Sequence, residues 1–197
     1  MENAQEILPR RKIWKGALME KTTNNKGKKH VHSKKINIFA EVGSHKMQFT
    51  RLFKELDKLV GEGKLKANIF AQTGFTNYYT KNFEIKGFIS ENDLIEKIKW
   101  ANVVVAHGGA GNIISALSLS KPLVLVPRRA ELNEHTDDHQ TQLAKALAQE
   151  KTCVAVYNIK ELFSAIQKAS KMKQNTEKER DVLVKEVRKF IEKQVVS

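Results

Sequence analysis

The sequence predicts one α/β domain built on a parallel sheet, and three observations carry that reading. Short apolar runs that suit buried strands alternate with amphipathic runs that suit helices. One short run, Val103–Ala106, is apolar at every position, too short for a helix and too uniform for a strand with one wet face, so it reads as a central parallel strand. It leads directly into His107-Gly108-Gly109-Ala110-Gly111, then a helix and a further strand, which together make a βαβ unit. With 197 residues the chain can bury one good core.

The elements follow in order. Residues 36–40 read as the first strand, and 41–46 as a loop. The next helix carries Phe49, Leu52, Phe53, Leu56, Leu59 and Val60 at helical spacing and stops at Gly61-Glu62-Gly63. Residues 67–71 are a second strand with a polar end at Gln72-Thr73-Gly74, and 83–89 a third that alternates. Ser90, with Asp93 three residues on, caps a helix through Leu94, Ile95 and Ile98 to Trp100. After the glycine turn, Asn112 is expected to cap a helix with Ile113, Ile114 and Leu117 inward, ending near Ser120. Lys121-Pro122 then starts a strand over 123–126. A polar loop over 128–136 precedes a helix with Leu143, Ala144, Leu147 and Ala148, and 153–157 is the last strand. Residues 159–169 and 181–195 read as closing helices, the latter with Leu183, Val187, Phe190 and Ile191 on one side.

The glycine turn carries the chemistry. Gly108, Gly109 and Gly111 permit dihedrals and a close backbone approach that side chains forbid. The amides of the first helical turn, with the positive end of the helix dipole, then face the crevice at the carboxyl ends of the strands, where a diphosphate is the natural guest. The spacing is not a complete GxGxxG, because Ile114 stands at the last glycine, and no Lys-Ser/Thr pair follows as a P-loop requires. An ordinary tight strand-to-helix turn is the plainer alternative.

Bulk properties narrow the setting. The single Cys153 can form no internal disulfide, and no N-terminal apolar stretch resembles a signal peptide, so a cytosolic location is expected. No apolar run reaches the roughly 20 residues that cross a bilayer, which leaves peripheral membrane association or recruitment by a partner. The net charge is +13, and residues 1–35 hold over half of it in a basic, flexible extension suited to anionic surroundings. That extension lacks the aromatic and basic pattern of an RNA-binding surface, so no nucleic-acid partner is expected. His135 and His139 are spaced i, i+4 beside Asp138, but the Glu of an HExxH metal motif is missing, and no metal site is expected.

Five ordered stretches resemble a known family: Phe39-Ala40-Glu41-Val42-Gly43-Ser44-His45 with Gln48-Phe49 and Arg51-Leu52; Ile69 to Gly74; Phe83 to Ser90; the His107 to Gly111 turn; and Pro127-Arg128 with Glu134 to Gln140. Over about residues 36–170 the chain is similar to the small catalytic subunits of two-subunit glycosyltransferases that build lipid-linked polysaccharides, as in exopolysaccharide, capsule and dolichol-linked glycan synthesis. These are close to glycosyltransferase family 28 C-terminal domains. The resemblance implies a Rossmann-like parallel sheet with helices on both faces, the donor-binding half of a GT-B enzyme, followed by a C-terminal helix over 171–197. It implies a UDP-sugar donor substrate, no cofactor, and a membrane-anchored partner that grips a lipid-linked saccharide acceptor and recruits this chain to the inner face of the membrane.

Carried over by position, the resemblance places Gly109, Ala110, Gly111 and Asn112 on the donor diphosphate, Gly43 and Ser44 across the cleft, and Phe88-Ile89 beside the uracil. Asp138, His139 and Gln140 would contact the donor sugar. His107 is expected to orient the glycine turn, and His45 is the nominated general base, although in GT-B enzymes the base commonly sits on the acceptor half. The family usually has Glu where this chain has Ser115, and that carboxylate is expected to accept from both ribose hydroxyls, which serine is too short to do. Gly108 stands where the family often has Ala. The donor sugar is left open among N-acetylglucosamine, galactose and glucuronic acid. A noncatalytic activating or nucleotide-sugar-sensing subunit is the competing reading, and Ser115 is its support.

Overall fold

The computed structural model describes residues 35–173 and 176–195, and within the final helix the side chains of Phe190, Ile191, Lys193, Gln194 and Val195 also fall outside the description. The basic extension expected over residues 1–35 therefore lies outside the described residues except for Lys35.

Six parallel strands form one sheet in the order β3-β2-β1-β4-β5-β6. They are β1 (Ile36–Glu41), β2 (Ala67–Gln72), β3 (Glu84–Lys86), β4 (Val103–Ala106), β5 (Leu123–Leu125) and β6 (Val154–Ala155). The helices are α1 (Thr50–Gly61), α2 (Glu91–Trp100), α3 (Ala110–Ser118), α4 (His139–Gln149), α5 (Leu162–Ala169) and α6 (Glu177–Val195). Single 3-10 turns lie at Ala130–Leu132 and Ile159–Glu161.

Period-2 alternation in the central strands divides the core into two layers. Ile38 and Ala40 of β1, with Val103 and Val105 of β4, pack against Phe53 and Leu56 of α1 and Leu162 and Ile166 of α5. Phe39, Val104 and Ala106 point the other way, toward Ile98 of α2, Ile113 and Leu117 of α3, Leu143 and Leu147 of α4 and Val187 of α6. Helices thus cover both faces, which is why β4 is apolar throughout and reads as buried from sequence alone.

Several local expectations are corrected. The third strand is only Glu84–Lys86, because Gly87 turns its carbonyl to the Gly74 amide (2.7 Å) and Phe88 leaves the ladder exposed. The last strand shrinks to Val154–Ala155. Gly109, not Asn112, is the residue that caps α3, and Asn112 is the third helical residue. Helix α6 begins a turn before the expected 181, since Thr176 and Glu179 form a capping box: the Thr176 amide donates to Glu179 Oε2 (2.8 Å) and the Glu179 amide to Thr176 Oγ1 (3.4 Å).

Ser90 does cap α2, accepting from the Asp93 amide at 3.1 Å and donating to its carboxylate at 2.8 Å. Ser90→Ala is expected to lower stability by about 1 kcal/mol, the usual value of an N-cap. A urea titration with an unchanged slope and a lower midpoint would show it.

Candidate functional site

The strand order reverses between β1 and β4, and in an open parallel sheet this reversal parts the loops that follow the two strands. The crevice at their carboxyl ends is bounded by the β1–α1 loop (42–49), by His107-Gly108-Gly109 after β4, and by the long β5–α4 loop (126–138). The first helical bond of α3 runs from the Ile113 amide to the Gly109 carbonyl (3.1 Å), so the amides of Ala110, Gly111 and Asn112 have no partner within the helix. They form an anion cradle at the helix N-terminus.

His107 shapes this cradle from below. It is only 6% exposed, and its ring lies against two glycines from different loops. A Cβ on Gly43 would fall 2.7 Å from His107 Cε1, and one on Gly109 would collide with Nε2. Gly43 also has φ +64, and Gly108 has φ +100 with Gln140 Cβ just 3.3 Å from where its own Cβ would be. The alanine often found at Gly108 in the family would be strained in this backbone.

Glu41 is the residue that sequence reasoning missed. It ends β1 at 1% exposure, accepts from the Gly43 amide (3.1 Å) and from the Asn112 side-chain amide, and turns Oε1 toward His107 Nδ1 at 3.6 Å. No local signal marks it, because His107 and Asn112 are distant from it in sequence and meet it only in the folded sheet.

A second buried charge fixes the loops. Arg128 is fully buried and donates to the carbonyls of Met47 (2.7 Å), Val42 (2.9 Å) and Glu134 (3.1 Å), with Phe49 stacked 4.9 Å from its guanidinium. Burial pulls its pKa down to about 10, against the opposing fields of Glu134 and Glu41, so it stays cationic at neutral pH. Arg51 adds a bond to Glu134 Oε1 (2.7 Å) and another to the Pro127 carbonyl (2.6 Å). The β1–α1 and β5–α4 loops are therefore one hydrogen-bonded unit.

A histidine group stands between the same two loops. The His45 and His135 rings stack with centroids 4.5 Å apart, and His135 and His139 both turn Nδ1 to Asp137 Oδ1, at 3.2 and 2.9 Å. Asp137, not Asp138, joins the two histidines; Asp138 accepts from the Ala130 amide (3.3 Å). Burial raises the Asp137 carboxyl, but hydrogen bonds from His139 and the fields of both histidines bring it below its ordinary value. Burial, then the fields of His135 and Arg128, lower His45. His45 Nδ1 accepts from the Met47 amide (3.2 Å), which leaves the proton of the neutral ring on Nε2. In that tautomer Nε2 is a donor.

The other expected residues fall around the same crevice. Phe88 is exposed and meets Phe75 edge to face at 5.0 Å beside Gly74, whose own Cβ would strike the Gly43 carbonyl. Ile89 packs against the second core layer. Ser44 is exposed on the β1–α1 loop. Gln140 accepts from the Arg128 amide (3.1 Å), and Ser115 donates to the Gly111 carbonyl (2.9 Å) within its own helix. Among the described residues no group of three or more His, Cys, Asp or Glu is arranged to hold a metal ion, and no helix is long and apolar enough to cross a membrane.

A model of the glycosyltransferase family 28 C-terminal domain matches residues 37–194. The chain belongs to this family. A curated relative, UDP-N-acetylglucosamine transferase subunit ALG13 of Debaryomyces hansenii, is 35% identical over 65 residues, or 33% of this chain and 31% of that one. The match thus spans less than a third of that relative's length. Two solved structures share the fold: the kitacinnamycin glycotransferase, with TM-score 0.58 and 16% identity over 80% of this chain and 42% of that one, and CalG4, the calicheamicin glycosyltransferase, with 0.57 and 14% over 81% and 38%. The family 28 domain here is a Rossmann-like sheet equivalent to one half of a GT-B enzyme.

Three outcomes follow from this geometry. Gly43→Ala combines a left-handed backbone with a collision at His107 and is expected to cost more than about 1 kcal/mol, read as a lower unfolding midpoint. Arg128→Leu strands three carbonyls and is expected to cost about 3 kcal/mol or more, read the same way. By NMR titration, His45 is expected to protonate below the ordinary histidine pKa of 6.5.

Proposed function

We propose that this domain binds the UDP-sugar donor of a glycosyltransferase and transfers the sugar to a lipid-linked acceptor together with a membrane-anchored partner subunit. The observation that carries this reading is the anion cradle of α3, with amides of Ala110, Gly111 and Asn112 open to a diphosphate at the strand-order reversal. N-acetylglucosamine is the favoured sugar, because the curated relative is a UDP-N-acetylglucosamine transferase subunit. The domain corresponds to residues 36–170, with the C-terminal segment 171–197, which contains α6, and the basic segment 1–35 as extensions.

In this reading the transferred sugar leaves UDP as negative charge grows on the diphosphate. Amides at Gly109, Ala110, Gly111 and Asn112, with the α3 dipole behind them, stabilise that charge without a metal. Gly43 and Ser44 line the opposite wall. His45 Nε2–H donates to a diphosphate oxygen from the rim. Phe88 and Ile89, with Phe75 beside them, flank the uracil, and Asp138, His139 and Gln140 face the sugar. The general base comes from the acceptor half on the partner, which also brings this chain to the membrane.

Ser115 favours one competing role, a noncatalytic activating subunit, because its hydroxyl is held by the Gly111 carbonyl and leaves the ribose without a carboxylate. A transfer assay with the partner present separates the two. Catalysis by the wild type supports the enzyme, and activity only in Ser115→Glu supports a decayed site.

The direct test is thermal unfolding with UDP, using ADP and TDP as controls. At about 100 times the dissociation constant UDP should add about 2.7 kcal/mol, a rise on the order of 5 to 10 °C for a chain of this size. No UDP-selective shift would overturn the donor-site reading.

A further inference from the structure

The structure holds two buried polar atoms that face each other without a hydrogen bond. Glu41 Oε1 and His107 Nδ1 are both shielded from solvent, neither has a partner among the described residues, and they stand 3.6 Å apart. Such a gap is costly in a finished interior, where nearly all buried polar groups are paired. It is ordinary beside a ligand pocket, where hydrogen bonds tighten on binding.

The other edge of the same imidazole points to the donor wall. His107 Nε2 occupies the space left by the missing side chains of Gly43 and Gly109, which frame the anion cradle. The ring therefore has an acceptor on each side once a diphosphate is present: the Glu41 carboxylate at Nδ1 and a phosphate oxygen at Nε2. A neutral imidazole carries one N–H and can serve only one of them; an imidazolium carries two and serves both.

The charges near the pair lead to the same conclusion. The Glu41 carboxylate is held by the Gly43 amide and by Asn112, in the place where a doubly negative diphosphate must approach. From the β5–α4 loop Arg128 faces the pair; its Nη1 and Nη2 donate to the carbonyls of Met47, Val42 and Glu134, and its buried Nε has no partner among the described residues. From the β1–α1 loop the titratable neighbour is His45, whose protonation the field of His107 disfavours. The first turn of α3 and that of α4 offer Asn112 and Gln140, which carry no charge. A second anion beside a buried carboxylate raises the proton affinity of the pair, and the proton comes from solvent.

We propose that UDP-sugar binding at this site is coupled to uptake of one proton by the buried Glu41–His107 pair, which then bridges the carboxylate and the donor diphosphate. The proposal rests on the donor-site reading above and adds two binding residues to it, one of them outside the set that the family resemblance supplies.

Calorimetry of the full chain with UDP-N-acetylglucosamine tests it. The bridging diphosphate of that ligand does not itself titrate near neutral pH. Titrations at one pH in buffers of different ionisation heat should show net proton uptake, and the dissociation constant should rise with pH toward tenfold per unit. Glu41→Gln keeps the size and the acceptor for Gly43 but removes the charge, and should abolish the uptake and flatten the pH profile. His135→Gln, at a rim histidine with no assigned donor contact, should retain both. Should Glu41→Gln fail to fold, nitrogen-15 spectra of His107 in the wild type give the same answer, since both ring nitrogens should become protonated on binding. Binding without proton uptake, uptake that survives in Glu41→Gln, or uptake lost in His135→Gln would overturn the proposal and leave the donor site standing. No binding of UDP or UDP-sugar would overturn both.

Discussion

The pairing of β1 with β4 is the constraint on which the donor end of the molecule depends. Because these two strands are neighbours in the sheet but distant in the chain, with Glu41 opposite Ala106, their following loops diverge and leave a crevice between them. The residues that follow each strand then meet across it, Glu41 and Gly43 from one side and His107 and Gly109 from the other. Every contact that shapes the cradle, from the His107 ring against two glycines to the Asn112 amide on Glu41, presupposes that register. A slip of one residue would turn Glu41 to the opposite face of the sheet and leave the α3 turn without its floor.

Arg128 plays the corresponding part for the loops. A fully buried guanidinium is expensive unless its donors are used, and here three carbonyls from two loops use Nη1 and Nη2, leaving Nε without a partner among the described residues. The same cost makes the arrangement specific: either loop moving away would strand a buried cation. The histidines of the rim, His45 on one loop and His135 on the other, stack because Arg128 and Arg51 hold those loops together.

Much of this was legible in the sequence, and the reasons are local. Val103–Ala106 declares itself a buried strand because four consecutive apolar residues have no solvent face, and Ser90 with Asp93 declares a helix start because the cap is formed by residues three apart. The shortening of β3 was not legible, since alternation continues through Phe88 while the Gly74–Gly87 hydrogen bond that ends the strand joins residues far apart in sequence. Asn112 looked like a cap because its residue type favours one, yet its side chain is drawn to Glu41, 71 positions away. Glu41 itself was passed over because nothing in its own neighbourhood announces a partner; its role exists only once β1 and β4 lie side by side. The glycine turn was legible from its own residues and the family resemblance added the expected sugar loop, but neither indicated the buried pair beneath them.

Helix α6 packs against α3 near the end of the described chain. The helix that presents its first turn to the donor is therefore braced along its side by a segment far from the crevice in sequence. A break in the backbone between α5 and α6 would remove that brace while leaving every residue of the cradle in place. On the proposed donor-site reading, nucleotide affinity would be tied to the integrity of the C-terminal region, and limited proteolysis there would act as a dial on the cradle without touching it.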